Sequence, residues 1–179
     1  RGCARACRPR TNAGSFTGTV SLRSDLTAQT TLGIDYSSSV RQTFAPRTSP
    51  IGAQYGGFAQ QAEKSLQNAN IQQLITYTPG FFGPSHELEI VGGYEYTKTN
   101  NEGFGVQMQG FITDAFGVYN LGAGTQAESP VPYSYRVESQ LVSFFTRANY
   151  GFQGKYFLTG VVREDGSSRL APGHHYAVF

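Results

Sequence analysis

Residues 26–40, LTAQTTLGIDYSSSV, alternate almost without a break. Leu26, Ala28, Thr30, Leu32, Ile34, Tyr36 and Val40 fall on one parity, and Thr27, Gln29, Thr31, Gly33, Asp35, Ser37 and Ser39 on the other. A period of two belongs to a strand with one dry face and one wet face. The pattern is already present upstream, where Phe16, Gly18, Val20 and Leu22 oppose Thr17, Thr19, Ser21 and Arg23. RSD at 23–25 supplies a tight turn, so the two segments read as a hairpin. Its second arm runs to Ala45, before Pro46 removes a ladder donor.

Four more strands follow. One is expected over 64–78, with Ala69, Ile71, Ile75 and Tyr77 facing away from Asn68, Asn70, Gln72 and Thr76, and with Gln73 interrupting the apolar face. The next, HELEIVGGYEYTKT at 86–99, sets Leu88, Ile90, Tyr94 and Tyr96 against Glu87, Glu89, Glu95 and Thr97. Asn100 to Val137 shows no sustained period and reads as one long connection, with Thr113 and Asp114 capping a short helix through Asn120 that stops at Gly122. Beyond it, Val142, Phe144, Ala148, Tyr150 and Phe152 oppose Ser143, Arg147, Asn149 and Gly151; after FQGK, Tyr156, Leu158 and Val162 oppose Lys155, Thr159 and Arg163. Phe145, Phe157 and Val161 sit on the wet parity. A further strand begins at HHYAVF.

What lies against the dry face, a core or lipid, is decided by the connections. They run short (23–25), long (46–61), short (79–85), long (100–137), short (152–155), then long again after Asp165. Strict alternation belongs to an outer-membrane barrel, with short periplasmic turns and long extracellular loops. The arm from Leu26 to Ala45 would extend roughly 65 Å, or on the order of 45 Å of height when tilted, more than a hydrocarbon layer of about 30 Å. Tyr150, Phe152 and Tyr156 at one short turn, and Phe81 and Phe82 at another, are placed as an interfacial aromatic belt.

Composition agrees. Only 15% of residues are charged, Gly numbers 22, Tyr and Phe number 11 and 13, and Trp is absent. No apolar run is long enough for a transmembrane helix. The formal charge of +2 arises from Arg1, Arg5, Arg8 and Arg10; setting these aside leaves ten Lys and Arg against twelve Asp and Glu, which removes the basis for nucleic-acid binding. Residues 1–13 read as a basic leader, disordered or a gene-boundary artefact, without the apolar centre of a signal peptide. Cys3 and Cys7 are the only cysteines, and their spacing is not that of a metal site.

FFTRANYGFQGKYFLTGVVREDGSSRL, residues 144–170, resembles the SusC/RagA family of TonB-dependent outer-membrane transporters. The matching frame is Arg147, Asn149, Tyr150, Phe152, Lys155, Tyr156, Leu158 and Thr159, then Arg163, Asp165, Gly166, Ser167, Ser168 and Arg169. LGIDYS at 32–37, LITYTPGF at 74–81 and GGYEY at 92–96 are weaker matches, so the likeness covers residues 14–179. It implies an all-β fold: an antiparallel, up-and-down transmembrane β-barrel segment, six to seven strands of a barrel of about 22. The chain then reads as an internal piece, without signal peptide, TonB-contacting motif or plug. The resemblance also implies import of oligosaccharides or peptides across the outer membrane of a Gram-negative bacterium. The partners would be a SusD-like surface lipoprotein, outer-membrane lipid, and the TonB complex through parts absent from this chain. No enzyme activity, cofactor or metal is expected.

Arg23, Asp35, Glu89, Glu95, Arg147, Asn149 and Arg163 are the candidate lumen-facing residues. Tyr55, Phe58, Phe104, Phe111, Phe116, Tyr119, Tyr133 and Tyr135, in the long connections, are the candidate ligand or partner contacts, because aromatic faces stack on sugar rings and loops carry recognition. REDGSSR at 163–169 reads first as strand-exit turn chemistry and second as a polar contact. Three other patterns carry little. Gly122-x-Gly124-x-x-Ala127 lacks a leading strand and a following helix; His86, His174 and His175 lack a companion ligand; Ser167, Asp165 and His174 lack a nucleophile elbow. The rival folds are a soluble β-sandwich or carbohydrate-binding module, whose apolar faces would seal on each other, and a complete eight-stranded membrane barrel ending at Phe179.

Overall fold

A computed structural model describes residues 4–80, 83–127, 132–169 and 176–178. Cys3, Phe81, Phe82, His174 and His175 lie outside the described residues. The strands are β1 (Ala4–Arg23), β2 (Leu26–Ala45), β3 (Phe58–Tyr77), β4 (His86–Phe111), β5 (Gly124–Ala127), β6 (Tyr133–Phe152), β7 (Tyr156–Ser167) and β8 (Tyr176–Val178). They form one sheet in the order β1-β2-β3-β4-β6-β7-β8, with β5 folded back onto β4. Two antiparallel ladders close its C-terminal side: Leu141↔Ser167 through Phe152↔Tyr156 joins β6 to β7, and Glu164↔Val178 through Gly166↔Tyr176 joins β7 to β8. Neighbours in sequence are neighbours in the sheet, as in an up-and-down barrel wall. No described helix is long and apolar enough to cross a membrane.

The described residues fall into two compact units. The first draws on residues 1–12, 36–67 and 100–137. Its interior is Thr43, Ala45, Ser49, Ala59, Phe111 and Val118. The short α1 (Pro50–Tyr55) lies here: Ser49 caps it by accepting the Gly52 N–H at 3.0 Å, Pro50 opens it, and Gly56 at φ 63° closes it. Gly52 is fixed by crowding, since a Cβ there would lie 2.1 Å from the Pro46 carbonyl oxygen. The second unit draws on residues 13–35, 68–99 and 138–179. Its buried side chains are Val91, Ser139 and Ser143, while Phe16, Val20, Leu22, Leu32, Ile34, Ile75, Phe144 and Leu158 are exposed. These apolar side chains do not close onto a second layer, which is what a β-sandwich would require.

Several expectations are corrected. β1 takes in residues 4–13, set apart above as a disordered leader. β3 starts at Phe58 rather than 64, because positive φ at Gly56 and Gly57 returns the chain directly from α1 into the sheet. β4 continues to Phe111, and β5 pairs back onto it through Met108↔Ala127 and Phe111↔Gly124, so much of the 100–137 connection is sheet. The helix expected from Thr113 is two 3-10 turns, Gly117–Tyr119 and Leu121–Ala123. The Asp114 carboxylate accepts the Arg47 N–H at 3.2 Å instead of capping a helix.

Candidate functional site

Alternation puts the polar residues of β4, β6 and β7 on one parity, and pairing joins them. Glu89 accepts from Asn149 Nδ2 at 2.9 Å and from Arg147 Nη2 at 3.5 Å; Thr159 Oγ1 donates to Asn149 Oδ1 at 3.0 Å. Next to these, Arg163 donates to Asp165 at 2.8 and 3.0 Å and to Ser143 Oγ at 3.1 Å, and lies 3.9 Å from Glu95. Five candidate lumen residues are therefore brought into two polar clusters. Arg23 instead pairs with Asp25 in the first short turn and lies over Tyr77, and Asp35 stands exposed on β2. The hydrogen bond from Arg23 holds the Asp25 carboxyl below the usual carboxylate range. Partly exposed ion pairs each contribute at most about 1 kcal/mol, so the clusters order one polar face more than they stabilise a core.

The aromatic rings on the wet parity have a common seat. A Cβ on Gly93 would lie 2.2 Å from Phe145 Cζ, so that ring rests directly over the glycine, with the Arg163 guanidinium 5.9 Å above it. Phe157 lies 3.4 Å from the Cβ position of Gly151. In the first unit, Tyr135 lies over Gly103 and Tyr133 over Gly105, at 3.0 and 2.8 Å from the corresponding Cβ positions. Glycine lets a neighbouring strand's ring cover the backbone, the pairing that compensates glycine in sheets. Val161 has no glycine seat and is exposed.

On the apolar parity beside the short turns, Tyr150 Oη and His86 Nδ1 are 2.6 Å apart, and the Phe152 ring lies 5.0 Å from His86 and 6.5 Å from Tyr156. His86 thus joins the aromatic belt, a role its own strand pattern does not reveal. Gln153 at φ 53° and Gly154 at φ 63° make the turn, closed by Lys155 N–H donating to the Phe152 carbonyl at 3.0 Å. Gln153 N–H also donates to the Ser85 carbonyl at 2.7 Å, tying this turn to its neighbour.

In REDGSSR the contacts stay within the sheet. Gly166 sits against the Tyr176 ring, where a Cβ would be 2.5 Å from Cε1. Ser168 N–H donates to the Gln140 carbonyl at 3.0 Å while its Oγ accepts the Gln140 N–H at 2.9 Å, and Ser167 Oγ accepts the Arg169 N–H at 3.2 Å.

Of the candidate contact residues, Tyr55 and Phe58 pair at 6.2 Å. Phe104 and Tyr135 border an open cavity of about 330 Å³ with Tyr36, Glu63, Ser65 and Glu102. Tyr119 is 81% exposed beside a second cavity of about 250 Å³ that Arg8, Arg10 and Gln42 also line. Phe116 is exposed. Phe111 is only 6% exposed and packs beside Gly57, so its ring offers no face to a ligand.

No family model matches the chain. Two curated TonB-dependent receptors of Formosa agariphila do: one is 35% identical over 151 residues and the other 28% identical over 153, each alignment covering 84% of this chain. The chain spans 15% of the length of these relatives. Among solved structures, the RagAB peptide transporter superposes with a TM-score of 0.74 at 21% identity over 97% of this chain and 19% of that one. The RagAB peptide importer in its closed-closed state gives 0.73 at 22% over 97% and 19%. The likeness to these structures is one of fold.

Proposed function

Because this chain belongs to the TonB-dependent receptors, as a SusC/RagA-type segment of their β-barrel, we propose that it forms part of the wall of an outer-membrane importer in a Gram-negative bacterium. Its substrates are oligosaccharides or peptides, received with a SusD-like surface lipoprotein and drawn in by coupling to TonB through other parts of the receptor. The likeness to a peptide transporter supports the peptide arm. The wall's role is passage, not catalysis, and nucleic acid is not a partner.

One observation supports this reading most directly. Along β3, β4 and β6 the mainly apolar parity turns polar at a similar distance from the short turns. On β4 it runs Leu88, Ile90, Gly92, Tyr94 and Tyr96, then Lys98, Asn100 and Glu102, before Phe104, Val106 and Met108 at the far end of the strand. On β6, read from its turn, it runs Phe152, Tyr150, Ala148, Thr146, Phe144 and Val142, then Gln140 and Glu138. On β3 it runs Tyr77, Ile75, Gln73, Ile71 and Ala69, one polar residue among four apolar, then Gln67, Ser65 and Glu63. The polar residues past the change contact one another, Lys98 with Glu138 at 3.4 Å and Ser65 with Glu102 at 3.3 Å. The stretch from His86 to Tyr96, at about 3.3 Å per residue and a tilt near 45°, spans about 25 Å, the height of a barrel's apolar band.

Single cysteines in the full-length receptor test this reading. Leu32→Cys, Phe144→Cys and Leu158→Cys are expected to resist a water-soluble maleimide in the outer membrane, whereas Thr31→Cys, Thr97→Cys and Val161→Cys react. Equal labelling of the two sets would end the lipid-facing assignment.

A further inference from the structure

Tyr133 and Tyr135 occupy odd positions of β6, the parity that carries Arg147 and Asn149 further along the same strand. Each ring is laid over a glycine of β4, Tyr133 over Gly105 and Tyr135 over Gly103. Yet the two residues remain 44% and 39% exposed. One side of each ring is thus spent on the backbone and the rest stays open to water. A ring held in this way has already lost most of its rotamer freedom, so stacking on it costs little further ordering.

The spacing states what fits. Residues two apart on one strand face repeat at about 6.6 Å, and an extended peptide laid along them presents its own alternate side chains at that same interval. Resting on the importer reading above, we infer that Tyr133 and Tyr135 are a stacking platform for an extended peptide, taking apolar or aromatic side chains at its positions i and i+2. The role goes to the tyrosine pair and not to Phe111, whose ring is buried in the wall.

The experiment uses the full-length receptor and two probes, a peptide of alternating serine and tyrosine and a linear glucan heptamer. The double variant Tyr133→Ser with Tyr135→Ser is expected to weaken peptide binding by roughly tenfold or more, at the usual worth of two aromatic contacts. Tyr133→Phe with Tyr135→Phe keeps wild-type affinity. Heat-modifiable migration on SDS gels reports whether each variant is a folded barrel. On the wild-type receptor alone, replacing the probe's tyrosines by glycine is expected to lose binding by the same factor, which keeps the test decisive should the serine variant not fold. Unchanged peptide affinity in the serine variant, binding of the glucan but not the peptide, or binding of neither overturns the platform. The importer reading stands or falls separately, on the cysteine pattern.

Discussion

Leu32→Arg is expected to cost about 2–4 kcal/mol, the penalty for a charged side chain at the bilayer midplane of a barrel. Leu32 is 45% exposed, near the midpoint of the apolar run from Leu26 to Tyr36, with no second layer of protein over it. In lipid the guanidinium has no water within easy reach, and a side chain at mid-depth is too far from either interface to extend into it. Thr31→Arg, one residue away on the wet face beside Thr17, is expected to cost less than about 1 kcal/mol. Urea titration of the folded receptor in lipid vesicles, followed by its heat-modifiable band, measures the difference between the two. If both arginines cost the same, alternation does not sort lipid from water here.

The second large effect is steric. Gly93→Val would place its Cβ within 2.2–2.6 Å of three atoms of the Phe145 ring. The ring cannot withdraw freely, because Arg163 lies over it and is itself tied to Asp165 and Ser143. Overpacking of this kind costs about 1–3 kcal/mol. Phe145→Ala in the same background removes the clash and is expected to recover most of that loss, which a double-mutant cycle reads as a coupling of at least about 1 kcal/mol. Gly92→Val is the control: nothing lies within 4 Å of its Cβ position, so its effect is expected to be small. Additive effects of the Gly93 and Phe145 substitutions would show that the ring does not depend on the glycine beneath it.

Much of the sheet was legible in the sequence because one apolar and one polar face leave a clean period of two. β2, the first part of β4, and the turn side of the β6–β7 hairpin are read correctly from it, while β6 begins at Tyr133, inside the stretch read as a connection. The signal fades where the alternation is interrupted. From Asn100 β4 carries Asn100, Asn101 and Glu102 in succession, which breaks the pattern; Phe104, Val106 and Met108 resume it opposite Gln107 and Gln109, a run too short to mark the strand although its ladder continues to Phe111. Residues 4–13 fail for a similar reason, since Arg8 and Arg10 share their parity with Phe16 and Val20. The expected helix failed because its capping aspartate is bonded to Arg47 and Gly117 takes φ 56°, outside the helical region. Glu89, Glu95, Arg147, Asn149 and Arg163 followed from parity alone, whereas their grouping into two clusters needed the cross-strand register. The anomalous Phe145 and Phe157 likewise make sense only once the glycine facing each is known.

The change of parity along β4 at Lys98 also divides the strand by the freedom it allows. On the importer reading, bilayer chemistry constrains every second residue on the turn side of Lys98, and drift there is restricted to exchanges among greasy side chains. Around Lys98, Asn100 and Glu102 that demand is lifted, so on the same reading descendants of this protein can rewrite this stretch while the part that keeps it seated stays untouched.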